Sequence, residues 1–463
     1  MSFVSGGYCS RSESEESIVH KHNRWKGIIG RRLDIVIFGA TGCAGRFTVL
    51  EAVKVLRSYS WGIAGRNKQK MEQLLQEIGI RSRKNLSQIP VIPANLKHKR
   101  SLYSLAKKCR VLINCCGPYE TYGENVIKAC IFAKTHYVDL CTESHFIDTI
   151  HYKFDELSKR KGVYVVMGCG LQSLPAEIGI NYMKHNFKGT INSIDAYVEF
   201  WTKNPWVLGS IANNNVWASF ILANRNMRRY RRRLLPQMYP KAPRTNILSE
   251  SDVILGFCVP APTVDQDIVD RSQQYFWEEK NERPIQYNNY FTFSISSRFR
   301  ASRQTYFLFS INPAIAFLLL CWYFFILILT QFACTRRLLL KCPRLFSFGL
   351  FSSNGPMEDN VDETFFRITF KAKGWDKSMK SIQHIFPENP DKVVVGRASG
   401  ACPFYGIACV CLLVSAVTIY NEHSKFPHRG GVYTPGAAFA HTKIINELKK
   451  YEHGLFFEII STN

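Results

Sequence analysis

The feature that most constrains the fold is a glycine-rich turn that follows a short apolar run. Residues 35–38 predict a buried parallel strand, and a helical pattern begins at about residue 44. Strand, glycine turn and helix together bring backbone N–H groups and a helix N-terminus against a phosphate. Such a turn can also be purely structural, but the flanking elements favour a dinucleotide site. The residues expected to bind the cofactor here are Gly39, Ala40, Thr41, Gly42, Cys43, Ala44 and Gly45.

The end of the next predicted strand, residues 61–65, indicates which cofactor is bound. An NAD-selective site places an acidic residue there to accept a hydrogen bond from the ribose 2′-hydroxyl. No acidic residue occurs between Glu51 and Glu72, and the position holds Arg66, followed by Asn67. An arginine at this point can be simply solvated, but its planar guanidinium suits a 2′-phosphate. We therefore expect NADP(H) rather than NAD(H), with Arg66 and Asn67 in its site.

Strands and helices alternate up to about residue 168, which predicts βαβ units and a parallel sheet. The predicted fold class is α/β, with a Rossmann-like doubly wound domain over residues 33–168. A buried strand from residue 111 ends in a glycine-proline turn, at the sheet edge where such folds bind ligands. The alternative is that this turn merely reverses the chain and binds nothing. The residues expected to line the cofactor here are Asn114, Gly117, Pro118 and Tyr119.

Two carboxylates, Asp139 and Glu143, fall at or near the end of a later strand. They can orient a substrate, or they can cap the following helix, and the sequence favours neither role. No Cys-x-x-Cys pair occurs among the 15 cysteines, so we predict no metal site and no disulfide framework.

The chain of 463 residues carries a net charge of +24, which implies an anionic partner. Nucleic acid, an acidic lipid surface and a phosphorylated ligand are the options. Zinc-finger spacing and RNA-binding aromatic signatures are missing, so nucleic acid is the least supported of the three and is not expected as a partner. Residues 1–32 are mostly polar and charged, and they predict a disordered tail without a signal peptide. The chain is therefore expected to face the cytosol and not to be secreted.

A hydrophobic segment interrupts the second half, because residues 304–335 contain no charged side chain. Its length is close to the roughly 20 residues that cross a bilayer. We expect residues 304–344 to enter a membrane or lipid droplet; a buried core helix is the alternative. Both flanks are basic, so charge selects no orientation. If residues 430–439 complete the same globular body as the N-terminal domain, both flanks lie on one side of the membrane. A re-entrant segment bent near Asn312 and Pro313, with Trp322 and Tyr323 near the head groups, is then favoured over a single span.

The rest of the second half predicts a mixed α/β domain, formed by residues 169–303 and 345–425. Alternating runs at residues 194–200 and 364–372 predict strands, and an apolar helix over residues 404–420 is expected to pack on them. Residues 426–463 return to the globular body. One arginine cluster is either a solvated loop or a contact with anionic lipid head groups. It comprises Arg225, Arg228, Arg229, Arg231, Arg232 and Arg233.

Several motifs are similar to those of the saccharopine dehydrogenase-like oxidoreductases, over residues 33–460. They are Phe38-Gly-Ala-Thr-Gly42, Ala64-Gly-Arg66, Asn114 with Gly117-Pro-Tyr119, Tyr122-Gly-Glu-Asn-Val-Ile-Lys-Ala-Cys130, Gly170-Leu-Gln-Ser-Leu-Pro-Ala-Glu177, Phe346-Ser-Phe-Gly349 with Gly355-Pro356, and Gly430-Gly-Val-Tyr-Thr-Pro-Gly-Ala-Ala-Phe439. The resemblance implies a nucleotide-binding oxidoreductase with a second mixed domain, associated with membranes or lipid droplets. Bacterial relatives include trans-acting enoyl reductases of lipid and glycolipid synthesis.

The sequence departs from the family's Gly-Phe-Asp-Ser-x-Pro pattern at Leu171 and Gln172, while Ser173 is retained. An amide does not ionise and cannot act as a general base. The candidate catalytic residues are therefore Tyr119, Glu143 and Ser173, and none is assigned.

The sequence is compatible with two functions. The first is an NADP(H)-dependent oxidoreductase acting on a lipid-like substrate at a membrane or lipid-droplet surface, with a homodimer as an option. The second is a nucleotide-binding but catalytically silent scaffold or sensor at the same surface. A true saccharopine enzyme is disfavoured, because it would be soluble and would have a polar substrate pocket.

Overall fold

The computed structural model describes residues 32–202, 212–223, 235–243, 249–251, 253–254, 257–261, 264–293, 306–307, 313–353, 364–377 and 389–462. The expected disordered tail before residue 32, the arginine cluster from Arg225 to Arg233, and Asn312 lie outside the described residues.

The described strands and helices are numbered in chain order. The strands are β1 (Leu33–Phe38), β2 (Trp61–Gly65), β3 (Val91–Pro93), β4 (Cys109–Asn114), β5 (His136–Asp139), β6 (Tyr164–Val166), β7 (Thr190–Thr202), β8 (Ala212–Asn213), β9 (Ser249–Glu250), β10 (Phe257–Pro260), β11 (Gln286–Phe293), β12 (Tyr306–Phe307), β13 (Phe351–Ser352), β14 (Thr364–Trp375), β15 (Lys392–Ala401), β16 (Gly431–Tyr433) and β17 (Phe456–Thr462). The helices are α1 (Cys43–Val55), α2 (Lys68–Ser82), α3 (Lys99–Ala106), α4 (Tyr119–Ala133), α5 (Ser144–Lys161), α6 (Leu174–Phe187), α7 (Asn214–Ala223), α8 (Val264–Lys280), α9 (Pro313–Gln331), α10 (Ala333–Lys341), α11 (Pro343–Phe346), α12 (Ala408–Glu422), α13 (Pro435–Phe439) and α14 (Ile444–Leu448).

The first sheet is parallel and has the strand order β3-β2-β1-β4-β5-β6-β16. In its centre, Ile37 of β1 pairs with Ile63 on one side and Ile113 on the other. These strands are continuous apolar runs because both faces of the sheet are covered. The first six strands have the order of a Rossmann fold, which confirms the predicted parallel sheet. The seventh strand comes from the C-terminal part of the chain and pairs with β6.

The second sheet is mixed and has the strand order β17-β15-β14-β7-β11-β10-β9, with β12 also paired to β7. Its long central strand β7 is antiparallel to β14 and parallel to β11. Helix α6 packs on this sheet, and Gly179 allows close contact because a Cβ there would overlap the ring of Phe370. The predicted second mixed domain is thus confirmed.

Helix α12 forms where the sequence predicts one, but it packs elsewhere. Its main contacts are with α1, β4 and β5, so it covers one face of the first sheet rather than the second. Sequence patterns do not specify which sheet a uniformly apolar helix covers, because every face of such a helix can be buried. Together with the flanking turns it forms a 23-residue segment, Pro403–Lys425, that is long and apolar enough to cross a membrane. Most of this segment is buried inside the protein, as expected for a core helix.

The predicted hydrophobic segment belongs to a small unit that we call the insertion module, residues 212–223 and 313–353. Helices α7, α9 and α10 pack through a shared apolar cluster that contains Trp217, Ile326 and Leu339. The helical sections Cys321–Gln331 and Ala333–Lys341 meet at 119°. The bend therefore lies at Phe332, whereas the sequence analysis expected it near Pro313, which instead begins α9.

Candidate functional site

A cleft of about 850 Å³ opens at the carboxyl ends of the strands of the first sheet. Its walls come from the segments that follow β1 to β6, together with residues of the second half of the chain. The expected cofactor residues that line it are Gly39, Thr41, Gly42, Cys43, Ala44, Arg66, Asn67, Gly117 and Tyr119. Among the expected residues, Ala40, Gly45, Asn114 and Pro118 do not line it.

The glycine turn forms the floor of the cleft. Gly39 has φ of +87°, and a Cβ at this position would lie 2.6 Å from the Cys116 sulfur. A Cβ on Gly45 would overlap the Gly39 carbonyl oxygen, so Gly45 allows α1 to start directly against the turn. Helix α1 has Gly42 at its N-cap, without a side-chain cap or an acidic residue in its first turn. Cys43 and Ala44 of its first turn line the cleft, so an anion placed there could accept hydrogen bonds from the helix N-terminus.

One end of the cleft is cationic. Arg66, Lys70 and Lys97 line it, and each lies after β2 or β3. Asn67 caps α2 by accepting a hydrogen bond from the Lys70 backbone N–H at 3.0 Å. Among the described residues that line the cleft, none is Asp or Glu. Lys70 and Lys97 were not predicted from the sequence. Their positions shortly after two strands that are neighbours in the sheet could have indicated that they line the cleft.

The other end of the cleft is largely apolar and aromatic. The segments after β4, β5 and β6 contribute its residues, and the strand order separates these segments from those after β2 and β3. Further wall residues come from the turn before α12 and from β8. Outside the cationic end, the lining residues that the sequence did not predict for the site include Cys115, Cys116, Tyr122, Leu140, Thr142, Asn213, Phe404, Tyr405 and Ala408. Leu171 and Gln172, which depart from the family pattern, also line the cleft.

Tyr119 is held by backbone groups on both sides. Its hydroxyl donates to the Asn114 carbonyl at 3.0 Å and accepts from the Leu140 N–H at 3.3 Å. Burial raises the pKa of Tyr119 well above its ordinary value, and the nearby Asp139 acts in the same direction. The hydroxyl therefore stays protonated and connects the ends of β4 and β5.

Asp139 is fully buried beneath the cleft. It accepts hydrogen bonds from the N–H groups of Gly168 and Cys141 at 2.9 and 3.0 Å, and from the Tyr137 hydroxyl at 2.9 Å. Burial raises its pKa to about 6, although these hydrogen bonds lower it. The carboxylate thus fixes the segments after β5 and β6 rather than facing the cleft.

Glu143 and Ser173, two of the candidate catalytic residues, lie outside the cleft lining. The Glu143 carboxylate accepts from the N–H groups of Tyr119 and Glu120 at 3.0 and 2.6 Å, so it caps α4. From the sequence, only the following helix was predicted as its capping target. Ser173 is buried and donates its hydroxyl proton to the Gly168 carbonyl.

Comparison with known proteins agrees with this architecture. Residues 35–166 match the family described as "Saccharopine dehydrogenase NADP binding domain". The chain is 30% identical over 448 residues to the saccharopine dehydrogenase-like oxidoreductase of Rattus norvegicus, an alignment that covers 94% of this chain and 98% of the relative. It is also 30% identical over 444 residues to the "Lipid droplet localized protein" of Caenorhabditis elegans, covering 93% and 99%.

Among solved structures, apo saccharopine dehydrogenase (L-Glu forming) from Saccharomyces cerevisiae has the same fold. The TM-score is 0.50 at 13% identity, and the match covers 93% of this chain and 100% of the yeast chain. The identity and coverage of the rat relative, together with the parallel sheet and its cleft, identify the family. The chain belongs to the saccharopine dehydrogenase-like oxidoreductases, with an NADP-binding domain over residues 35–166.

Proposed function

We propose that the protein is an NADP(H)-dependent oxidoreductase that acts on a lipid-like substrate at the surface of a lipid droplet or a cytosol-facing membrane. The observation that carries this proposal is the polarity of the cleft. Its end near β2 and β3 is cationic, and its end near β4 to β6 is apolar and aromatic, with the glycine turn between them.

The cationic end suits the phosphates of NADP(H). The uncapped N-terminus of α1 would receive the diphosphate, and Arg66, with Lys70 and Lys97 nearby, would bind the 2′-phosphate. The absence of Asp and Glu among the described lining residues removes the repulsion that an acidic residue would exert on that phosphate. When bound, the cofactor supplies hydride transfer, and the residues of the chain bind it, orient it and exclude water.

The apolar end of the cleft and the insertion module together support a lipid-like substrate. Phe325 and Ile328 of α9 are 52% and 59% exposed, which is unusual for large apolar side chains on one helix. Exposed Arg337, Lys341 and Arg344 follow on α10 and α11, where they complement anionic lipid head groups. The name of the C. elegans relative also supports a lipid-droplet location.

A second candidate function is a nucleotide-binding protein without turnover at the same surface. Gln172 lines the cleft at the apolar end, where the family pattern has an aspartate, and its amide cannot accept a proton. Turnover of NADPH with enoyl, keto or imine lipids separates the two functions. Consumption of NADPH with any of these substrates would exclude the silent scaffold.

The cofactor assignment is tested by titrating the full-length protein in detergent with NADPH and NADH, using the fluorescence of the nicotinamide. We expect tighter binding of NADPH. Arg66→Asp should weaken NADPH binding by about 10- to 100-fold, because a charge-assisted hydrogen bond contributes about 1.5–3 kcal/mol. NADH binding should change little, since NADH lacks the 2′-phosphate.

The matched control is Arg57→Asp. Arg57 is an exposed arginine just after the C-terminal end of α1, away from the cleft, and its substitution should leave both affinities unchanged. An equal loss of NADPH and NADH binding in Arg66→Asp would contradict the assignment of Arg66 to the 2′-phosphate.

A further inference from the structure

We propose that lipid contact by the insertion module and NADP(H) binding in the cleft are coupled through Asn213 and Tyr405, so that each tightens the other. The inference rests on the proposed function, and it adds control of the cofactor site by the lipid surface.

Asn213 belongs to the insertion module and to the cleft at the same time. It lies in β8, which pairs in parallel with β13, so that Asn213 faces Ser352 across the ladder. Its side-chain amide donates to the Ser353 carbonyl at 2.9 Å, directly after the helices of the module. Asn213 also lines the cleft. The module therefore supplies part of the wall of the cofactor site.

Tyr405 continues this connection to the glycine turn. Its hydroxyl accepts the backbone N–H of Asn213 at 3.0 Å and the Cys43 thiol at 3.4 Å. Its ring packs on Phe47 with 4.5 Å between the ring centroids. Cys43 and Phe47 lie in the first turns of α1, the helix whose N-terminus faces the phosphate site. Tyr405 thus connects Asn213 by direct contacts to the part of α1 that would bind the diphosphate.

Trp217 connects Asn213 to the exposed side of the module. It lies one turn after β8, and its indole N–H donates to the Leu339 carbonyl at 2.9 Å. Its ring also packs on Phe351 of β13, with the centroids 5.4 Å apart. Leu339 is buried, whereas its neighbours Leu338 and Leu340 on α10 are exposed. A surface that binds the exposed side of α10 therefore acts on a helix that contacts Trp217 of α7, and Trp217 in turn packs on β13, the partner strand of β8.

The occupant that this surface fits is an anionic lipid surface. Exposed leucines on α10 stand beside exposed Arg337 and Lys341, which is the combination of apolar and basic groups that binds acidic lipid interfaces. Lipid contact restricts α10, and through Trp217 and Asn213 it restricts the wall around Tyr405. The cofactor then orders less of the site when it binds, which makes the coupling positive.

Coupling between two sites is reciprocal and typically amounts to about 5- to 150-fold in affinity. We expect phosphatidylcholine vesicles that contain phosphatidylserine to lower the dissociation constant of NADPH for the full-length protein by about 5-fold or more. Saturating NADPH should raise vesicle affinity, measured by co-sedimentation, by the same factor. Vesicles of phosphatidylcholine alone should have a smaller effect, because the basic residues lack their partners.

The outcomes separate the inference from the proposed function. If the protein binds both NADPH and the vesicles, but neither changes the affinity of the other, the coupling is excluded and the proposed function stands. Weaker NADPH binding on vesicles also excludes it. If NADPH or the vesicles fail to bind, the proposed function is wrong, and the inference falls with it.

Substitutions in the contact chain test the route. Trp217→Phe removes the hydrogen bond to Leu339 without touching a cleft residue, and we expect both ligands to bind while the coupling falls to less than about 2-fold. Phe351→Leu, which removes the ring against Trp217, serves the same purpose if Trp217→Phe does not fold. Trp375→Phe, a buried tryptophan of β14 outside the module, should keep the full coupling. Coupling retained at full strength in both module variants would exclude this route.

Discussion

Glu177 is a buried carboxyl that joins three parts of the chain. It lies on α6 and accepts two hydrogen bonds. One comes from the Ser272 hydroxyl on α8, and the other comes from the Gly436 N–H on α13 at 2.5 Å. A Cβ on Gly436 would overlap this carboxylate, so only glycine fits there. Burial raises the pKa of Glu177 from 4.5 to about 7, while its hydrogen bonds lower it.

Glu177 makes stability depend on pH. Because its pKa is higher in the folded chain, its stabilising contribution is complete below about 4.5 and is lost as the pH rises through about 7. The wild-type carboxyl should therefore cost about 2.5 kcal/mol of unfolding free energy between about pH 5 and pH 8. Glu177→Gln cannot ionise, so this part of the loss should be missing in the variant. Urea midpoints at both pH values measure this. Glu72→Gln, on the surface of α2, should show the same change in unfolding free energy with pH as wild type. If Glu177→Gln also shows the wild-type change, the role of Glu177 is contradicted.

At the same scale, the sequence predicted the cleft residues unevenly. Arg66 and Thr41 follow directly from strand ends, and strand ends can be recognised locally. Asn213 and Tyr405 reach the cleft only because distant elements pack there, and no local pattern marks such residues. The role of Glu143 was left open, because it caps α4, which begins 24 residues earlier in the chain. Sequence rules for capping describe contacts only within a few residues.

Among the secondary elements, the insertion module departs most from its prediction. Proline is favourable in the first turn of a helix, so Pro313 begins α9 instead of bending it. The chain bends at Phe332, which has extended dihedral angles of −101° and 137°. The large exposed apolar residues of the module are Leu318, Phe324, Phe325, Ile328, Phe332, Leu338, Leu340, Leu345, Phe348 and Leu350.

The exposed face of α9 is the part of the module to test against lipid. Ile328→Glu should weaken binding to phosphatidylcholine–phosphatidylserine vesicles by about 10-fold, since burial of such a side chain contributes about 1.5–3 kcal/mol. Vesicle flotation measures the change. Ile80→Glu is the matched control, because Ile80 is 82% exposed on α2, outside the module. Equal effects of the two substitutions would show that the module has no special contact with lipid.

Over the whole molecule, the two sheets are joined by more than a linker. The C-terminal part of the chain contributes β16 to the first sheet and β17 to the second. The sequence predicted that residues 426–463 return to the globular body, but a three-residue strand in a glycine-rich motif carries no periodicity from which its pairing could be predicted. In contrast, the alternation of strands and helices predicted that β1 to β6 form one parallel sheet.

The shared C-terminal segment predicts that both sheets lose stability together. Val432 of β16 is buried, and its N–H donates to the Asp155 carboxylate at 2.8 Å. Val432→Asp would bury a second carboxylate there and should cost about 3 kcal/mol or more, weakening NADPH binding as the protein unfolds. Ile460→Asp, at an exposed position of β17, should have little effect. Denaturation followed by tryptophan fluorescence and by NADPH fluorescence should give one common transition. An unchanged denaturation midpoint in Val432→Asp would contradict the predicted loss of stability.

The position of β16 also has a consequence for synthesis. One edge of β6 pairs with β5, but its other edge has no partner until residues 431–433 of β16 have left the ribosome. By then the other strands of the first sheet have long been made. An uncovered strand edge is a template for wrong pairing, and late long-range pairing slows folding. In a nascent chain this edge of β6 is therefore open to wrong pairing from its own synthesis until that of β16. A chain that stops before β16 cannot complete the first sheet, so its β6 edge stays open to wrong pairing.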